Sequence, residues 1–170
     1  MRIHLRKAII FFLEIKAPFS FGELEADGFS FEIQNKINPD NYLEVYQKIG
    51  ESWHWSERLL MTEEKLEELL LAAENLIYFL KHQEEIIGYF ELNIKETEAE
   101  LVYFGLAENH LGRGLGRLMM DRVKAVAHEH KIQRLWLHTC SFDSPKALAF
   151  YEKSGFYLYK ETTGWERHLF

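Results

Sequence analysis

The pattern of apolar and polar positions along the chain predicts many short strands and four helices. Short apolar runs bounded by turn residues predict strands at 8–16, 29–34, 76–81, 86–94, 100–106, 133–139, 156–162 and 165–169. Apolar residues at three- and four-residue spacing predict helices at 39–49, 62–73, 115–130 and 144–154. Most of the strands are joined as hairpins, and the third helix separates two strands that should lie parallel. We therefore expect an α+β fold with helices flanking a mostly antiparallel, mixed sheet.

Composition narrows the class of protein. A chain of 170 residues with 47% apolar and 15% aromatic residues predicts a single packed domain. One cysteine, Cys140, excludes an intrachain disulfide framework and a cysteine-based zinc site, and a reducing cytoplasm is the expected location. The net charge of −7 provides no basic surface for nucleic acid, and it mildly favours cationic partners.

The N-terminus resembles the start of a signal peptide, with basic residues before an apolar run at 8–13. Glu14 and Lys16 interrupt that run and no small-residue cleavage site follows, so we expect a strand. No apolar run is long enough to cross a membrane, and we expect no membrane partner.

A glycine-rich motif, Leu-Gly-Arg-Gly-Leu-Gly-Arg at 111–117, lies between the strand ending at Leu106 and the helix at 115–130. Glycines let the backbone approach a ligand closely, and the helix N-terminus directs unpaired N–H groups and a positive dipole at the loop. Arg113 and Arg117 add charge. The motif predicts a pyrophosphate cradle, with a ligand-free turn as the alternative. It is not a Walker A loop, because no Lys-Ser/Thr follows, and Arg117 stands where a dinucleotide fingerprint needs glycine.

A second motif follows downstream, Ser-Pro-Lys-Ala-Leu-Ala-Phe-Tyr-Glu-Lys-Ser-Gly-Phe at 144–156. The two motifs and the elements around them resemble the GCN5-related N-acetyltransferases (GNAT) over roughly residues 76–160. The resemblance implies a GNAT fold whose parallel strand pair is splayed, with N-terminal strands at 1–35 and an acetyl-CoA-binding core at 76–160. Leu111 replaces the Gln or Arg usual in the family, and Ser144 replaces a frequent Asn.

The resemblance implies acetyl-CoA as the co-substrate and no metal. The residues that it assigns to acetyl-CoA are Phe104, Gly105, Leu106, Leu111, Gly112, Arg113, Gly114, Leu115, Gly116, Arg117, Ser144 and Ala147. In the family, the strand backbone near Phe104 pairs with pantetheine and polarises the thioester carbonyl, and Gly105 would permit a bulge.

Two residues are candidates for proton transfer. The family motif places Tyr151 near the thioester sulfur, where its O–H could protonate the departing thiolate; the alternative is a core aromatic. Glu100 matches the register of a general base in histone-type members, and the alternative is an ordinary carboxylate at a strand start. Cys140 with His138 would offer a nucleophile for a ping-pong route, although direct transfer is the habit of the family.

The segment Trp53-His54-Trp55-Ser-Glu-Arg58 is a candidate acceptor site. A tryptophan face can bind a cation, and Arg58 could bind a carboxylate. The alternative is an aromatic plug at the edge of the core.

The sequence therefore predicts an N-acetyltransferase in which a primary amine directly attacks the thioester. The expected partners are acetyl-CoA and a small-molecule or peptide amine, and homodimers are frequent in the family. The first rival is a non-catalytic acyl-CoA-binding or sensor protein of the same fold. The second is a structural or interaction domain that binds no CoA. The acceptor stays open.

Overall fold

A computed structural model describes residues 3–169; Met1, Arg2 and Phe170 lie outside the described residues. The strands are β1 Ile3–Lys16, β2 Phe29–Ile33, β3 Asn75–His82, β4 Glu85–Lys95, β5 Glu98–Leu106, β6 Arg134–Cys140 and β7 Tyr157–Leu169. The helices are α1 Pro39–Gly50, α2 Glu63–Leu71, α3 Leu115–Glu129 and α4 Ala147–Lys153, and short 3₁₀ turns lie at Glu51–Trp53, Arg58–Leu60 and Glu108–His110.

The seven strands found within residues 3–169 form one sheet in the order β2-β3-β4-β5-β6-β1-β7. Every neighbouring pair is antiparallel except β5 and β6, which are parallel. Their pairing begins at Glu98 and Arg134 and ends at Glu100 and Trp136, although both strands continue. The expected α+β fold with a splayed parallel pair is confirmed, and the splay opens a gap in the sheet.

The first strand of the chain lies between β6 and β7. It pairs with β6 from Ile10 to Lys16 and with β7 along almost its whole length. The sequence predicted a strand here, starting at residue 8 rather than at Ile3, but it did not predict this place in the sheet.

Helix ends follow local chemistry. Asn38 caps α1 by accepting from the Asp40 N–H at 2.8 Å, and Pro39 occupies the first turn. The Thr62 side chain accepts from the Lys65 N–H at 3.4 Å and so caps the N-terminus of α2. After α4, Gly155 takes φ +96° and the Phe156 N–H donates to the Tyr151 carbonyl, as expected at a C′ glycine.

The C-terminal strand corrects one prediction. Strands were expected at 156–162 and 165–169 with a break at Thr163-Gly164, but β7 runs unbroken from Tyr157 to Leu169. Gly164 pairs directly with Ala8, and a Cβ there would meet the Ile10 side chain at 2.6 Å. The glycine is needed for close packing and makes no turn.

The two faces of the sheet carry separate cores. One core packs α3 and α4 against the sheet around Leu13, Phe90, Met119 and Val123. The other packs α1 and α2 around Tyr42, Tyr46 and Tyr89. Burial of these large side chains supplies the main driving force for folding. Within residues 3–169, no helix combines the length and apolar content needed to cross a lipid bilayer.

Candidate active site

The gap between β5 and β6 opens into a cleft of about 180 Å³. Its walls come from β5, β6, the start of α4, the segment after α1 and the C-terminal part of β7. The lining residues are Tyr46, Trp53, His54, Trp55, Ser56, Glu57, Leu101, Val102, Tyr103, Phe104, His138, Thr139, Cys140, Phe142, Asp143, Ser144, Ala147, Tyr151, Glu166, Arg167 and His168. The cleft therefore joins residues that the sequence assigned to acetyl-CoA, to proton transfer and to the acceptor.

Tyr151 lies on α4 at one wall of the cleft. Its ring makes edge contacts with Phe104 at 6.2 Å and Phe156 at 6.1 Å between centroids. Burial, with a contribution from the charge of Asp143, raises the pKa of Tyr151 above its ordinary value. The phenol therefore keeps its proton at neutral pH, as an acid must. The ring packs against the core while the residue lines the cleft, so the two interpretations of Tyr151 are compatible.

Ser144 and Ala147 lie beside Tyr151 where the chain enters α4. The Ser144 hydroxyl accepts from the Lys146 N–H at 3.3 Å, and the Ser144 carbonyl accepts from the Ala147 N–H at 2.8 Å. The serine therefore shapes this turn and also lines the cleft.

The glycine-rich loop forms an open backbone concavity ahead of α3. Gly112 and Gly114 have φ values of +74° and +79°, which L side chains adopt only with strain, and no atom lies within 4 Å of a Cβ built at either. Within residues 3–169, the N–H groups of 112–116 donate to no acceptor. Unpaired amides at the start of a 15-residue helix fit an anion such as a pyrophosphate.

The side chains of the loop differ in their placement. Arg117 is largely exposed, with its Nε 3.9 Å from the Asp121 carboxylate, and Arg113 contacts the His110 ring at 3.3 Å. Leu115 is buried in the core, so only its backbone can face a ligand, and Leu111 is exposed.

The loop lies outside the cleft lining but is connected to it through packing. A Cβ at Gly116 would meet the Phe150 ring at 3.3 Å, and Phe150 packs on Phe104, with ring centroids 5.5 Å apart. Beyond Glu100, the edge of β5 that faces away from β4 has no strand partner among the described residues. Backbone groups at 101–106 are therefore placed to pair with an extended ligand between cleft and loop.

The bulge in β5 is not at Gly105, where the sequence permitted one. The register shifts between Glu91 and Leu92 opposite Tyr103 and Leu101, which makes Val102 the extra residue. Gly105 pairs regularly with Tyr89; it lacks a side chain because a Cβ would meet Ile49 at 2.6 Å.

Glu100 lies where β5 and β6 begin to separate, and its carboxylate contacts His138. Its Oε1 is 3.4 Å from His138 Nδ1, and the side chains of Glu100 and His138 are 24% and 46% exposed. His138 lines the cleft, whereas Glu100 does not. Contact with the Glu100 carboxylate raises the pKa of His138, although burial lowers it.

The segment after α1 is divided between cleft and core. Trp53, His54 and Trp55 line the cleft, as predicted for an acceptor site. The Trp55 ring also packs on Tyr103, with 4.9 Å between centroids, and lies against Gly50. Trp55 therefore both lines the cleft, as an acceptor site requires, and packs at the edge of the core.

Arg58 lies in the core and outside the cleft lining, contrary to the expected acceptor contact. It is 7% exposed, its Nη2 is 3.0 Å from Glu91 Oε2, and its Nε donates to the Tyr42 hydroxyl at 3.1 Å. The guanidinium also stacks over the Tyr103 ring at 4.9 Å. The buried ion pair removes the Arg58 charge from the cleft, so we do not assign it to an acceptor carboxylate.

The cleft contains acidic groups that the sequence did not single out. Glu57 Oε2 accepts from the Tyr103 hydroxyl at 3.0 Å, and Asp143 accepts from the Cys140 N–H at 2.9 Å. Burial and the charge of Glu57 raise the pKa of Glu166. Glu57 lies within the segment 53–58, and Asp143 directly precedes the motif at 144–156. Their positions next to these motifs are the sequence signal that could have identified them. Glu166 lies on β7, and β7 reaches the cleft because it pairs with β1. Local sequence does not reveal that pairing.

Cys140 lines the cleft without the features of a nucleophile. Burial raises the pKa of its thiol to about 11, and the thiol accepts from the Phe142 N–H at 3.4 Å. A protonated thiol does not favour the ping-pong route.

Comparison with known proteins gives a family and one curated relative. The family model described as "Acetyltransferase (GNAT) family" matches residues 42–156. A curated protein of Pseudomonas phage PaMx11, "5-NmdU N-acetyltransferase", is 26% identical over 141 residues, which cover 79% of this chain and 93% of the phage protein.

Solved structures share the fold. A GNAT family acetyltransferase from Elizabethkingia anophelis, with acetyl-CoA bound, has a TM-score of 0.61 at 20% identity, covering 79% of this chain and 80% of that one. A functionally unknown conserved protein from Staphylococcus epidermidis has a TM-score of 0.68 at 13% identity. That match covers 94% of this chain, which spans only 61% of the Staphylococcus chain.

Proposed function

Because the chain belongs to the acetyltransferase (GNAT) family, we propose that it transfers an acetyl group from acetyl-CoA to a primary amine by direct attack. The observation that carries this proposal is the arrangement of the cleft. Tyr151, the free edge of β5 and the aromatic segment after α1 meet at one opening of the sheet.

In this proposal the loop at 111–117 holds the CoA pyrophosphate. The unpaired N–H groups, the positive-φ glycines and the dipole of α3 all favour a phosphate there. The pantetheine arm would then extend along the free edge of β5, beside Ser144 and Ala147. The acetyl-CoA bound to the Elizabethkingia protein supports this choice of co-substrate by analogy of fold.

Tyr151 and a base for the attacking amine carry the proton transfers that the reaction needs. An amine with a pKa near 10 is mostly protonated at neutral pH and must lose a proton before it attacks. The thiolate that leaves must gain one, and a protonated Tyr151 can donate it. Glu100, the base candidate from the sequence, contacts His138 at the edge of the cleft, so this pair is placed to take up the amine proton.

The acceptor binds between Trp53, His54 and Trp55 on one side and β6 and β7 on the other. Burial of Arg58 with Glu91 leaves the acceptor side with the carboxylates of Glu57 and Glu166. Arg167, which is exposed, is the positively charged residue that lines the same side of the cleft. This charge balance favours an amine without a carboxylate, and 5-NmdU, named for the phage relative, is one candidate.

An acceptor panel tests the proposal. The protein is incubated with acetyl-CoA and 5-NmdU, a polyamine, an aminoglycoside, an amino acid or a peptide with a free N-terminus, and release of free thiol is measured. Amine-dependent thiol release with formation of the N-acetyl product, detected by mass spectrometry, is the expected result. Calorimetric binding of acetyl-CoA without turnover on any amine would favour the sensor alternative, and absence of binding would favour the interaction domain.

A further inference from the structure

We infer that His138, and not Glu100 directly, accepts the proton of the attacking amine, and that Glu100 positions His138. The inference rests on the proposed function and deepens it, since it assigns the base of that same transfer.

The topology places His138 nearer to the reacting groups than Glu100. Glu100 and Trp136 form the last pair before β5 and β6 separate. His138 lies two residues further along β6, so its side chain is on the same face as that of Trp136 and stands at the open part of the splay. It lines the cleft together with Phe104 and Tyr151, and Glu100 is not among the lining residues.

The contact with Glu100 decides which ring nitrogen is available. Nδ1 faces Glu100 Oε1 at 3.4 Å. A carboxylate at this distance favours a proton on Nδ1, which leaves the lone pair of Nε2 to accept another. The contact with Glu100 occupies Nδ1 and not Nε2, so Nε2 can accept from an acceptor amine in the cleft.

The groups around His138 come from several elements. Carboxylates face it from β5 (Glu100), from the segment after α1 (Glu57) and from β7 (Glu166). From β1, the Phe12 ring packs against the imidazole with 5.9 Å between centroids. The negative charges of these three carboxylates stabilise the imidazolium that forms when the proton is taken.

The proton and electron balance is then complete. The acceptor ammonium gives one proton to Nε2, and the neutral nitrogen forms a C–N bond to the thioester carbonyl carbon. The C–S bond breaks, and its electron pair leaves on sulfur, which takes the proton of Tyr151. The second nitrogen proton restores the phenol, and His138 releases its proton to solvent. The products are the N-acetyl amine, free CoA and one proton.

Profiles of kcat/KM against pH distinguish His138 from Glu100 as the base. All variants are measured with the same acceptor amine, so the titration of the amine contributes equally to every profile, and differences between profiles come from the protein. With His138 as base, the wild-type profile has an acidic limb above the ordinary histidine pKa of about 6.5. Glu100→Gln removes the carboxylate that raises the pKa of His138, so the limb should persist and move to lower pH. With Glu100 as base, Glu100→Gln would abolish the limb instead and overturn the inference.

His138→Gln should remove the limb and lower kcat on the order of 10²-fold. His130→Gln, at an exposed position just after α3, is the matched control and should change neither. Imidazole added to His138→Ala should restore part of the rate. Full kcat in a folded His138→Gln variant would overturn the inference alone, whereas a wild type without turnover on any amine would overturn the proposed function and the inference together.

A measurement without turnover completes the test. Titration of the His138 ring by ¹H–¹⁵N NMR should give a pKa above about 6.5 in the wild type. It should give a lower pKa in Glu100→Gln and show the Nδ1-protonated tautomer at high pH. An identical His138 pKa with and without the Glu100 carboxylate would overturn the positioning role.

Discussion

At the scale of single residues, Tyr151 is where a packing role and a chemical role meet. Tyr151→Phe keeps the ring contacts with Phe104 and Phe156 and removes only the O–H. If the phenol protonates the thiolate, kcat should fall on the order of 10²-fold while the affinity for acetyl-CoA stays unchanged. Steady-state kinetics and calorimetry measure the two quantities.

Tyr89→Phe is the matched control for this substitution. Tyr89 is fully buried outside the cleft lining, and its hydroxyl has no partner within residues 3–169. Its removal should leave kcat unchanged and should not lower stability, because no hydrogen bond is lost. Equal kcat values in both variants and the wild type would assign Tyr151 to the core alone.

Substitutions at two glycines with the same backbone conformation can distinguish the effect of backbone strain from the effect on ligand binding. Gly114 and Gly28 have φ values of +79° and +80°, and neither has a neighbour closer than 3.5 Å to a built Cβ. Gly114→Ala and Gly28→Ala should each lower the free energy of unfolding by about 1 kcal/mol, from the left-handed backbone. Only Gly114→Ala should weaken acetyl-CoA binding, by about tenfold or more, which corresponds to about 1.4 kcal/mol. Unchanged affinity in both would remove the pyrophosphate from this loop.

At the scale of elements, the sequence predicted most of the fold because local signals were strong. The cap at Thr62, the C′ glycine at Gly155 and the apolar periodicity of α3 agree with local preference and with tertiary packing. The break predicted between residues 162 and 165 was wrong, because Gly164 is required by the Ile10 side chain on β1, which lies far away in sequence. Local pattern cannot distinguish a turn glycine from one that a neighbouring strand requires.

The segment after α1 shows the same limit at the site. Trp53 and His54 reach the cleft, as their composition indicated. The role of Arg58 depends on Glu91, which lies on β4 and faces the same core. A sequence of one chain does not reveal that pairing, which holds the Arg58 side chain in the core and outside the cleft lining.

This buried pair leads to a prediction about stability. Arg58→Met removes the partner of Glu91 and should lower the free energy of unfolding by about 3–5 kcal/mol, because an uncompensated charge stays buried. Arg58→Met/Glu91→Gln should recover most of that loss, since the amide can still accept from Tyr42. Urea denaturation measures both variants. A stable Arg58→Met with a raised KM for carboxylate-bearing acceptors would restore the role first expected of Arg58.

At the scale of the whole molecule, β1 joins the two ends of the chain into one sheet. Glu14 of β1 accepts from Tyr157 of β7 and from the Arg134 guanidinium of β6. The Nη1 atom of Arg134 also lies 3.1 Å from Oε2 of Glu98, on β5. One polar network therefore crosses four adjacent strands, including both strands of the splay. No local pattern predicts this, because the order of strands in a sheet is set by contacts between distant segments.

The network implies a pH dependence of stability. The hydrogen bond from Tyr157, with the contacts from Arg134, lowers the pKa of Glu14 in the folded protein. A lowered folded-state pKa means that Glu14 stabilises the fold above its unfolded pKa of about 4.5. That contribution is lost as pH falls through the folded-state pKa. Glu14→Gln should therefore be less stable than the wild type at pH 7, and the difference should shrink below about pH 4.5.

Thermal or urea unfolding of both proteins between pH 7 and pH 3 measures this difference. Glu161→Gln, on the exposed side of β7, is the control and should follow the wild type throughout. A constant difference between Glu14→Gln and the wild type at every pH would mean that the ionised carboxylate contributes nothing. Because β1 holds β6 in register, Glu14→Gln should also disturb the neighbouring cleft end of β6. The NMR signals of His138, which pairs with Phe12 of β1, should therefore shift in Glu14→Gln, whereas those of His82, on the distant strand β3, should not.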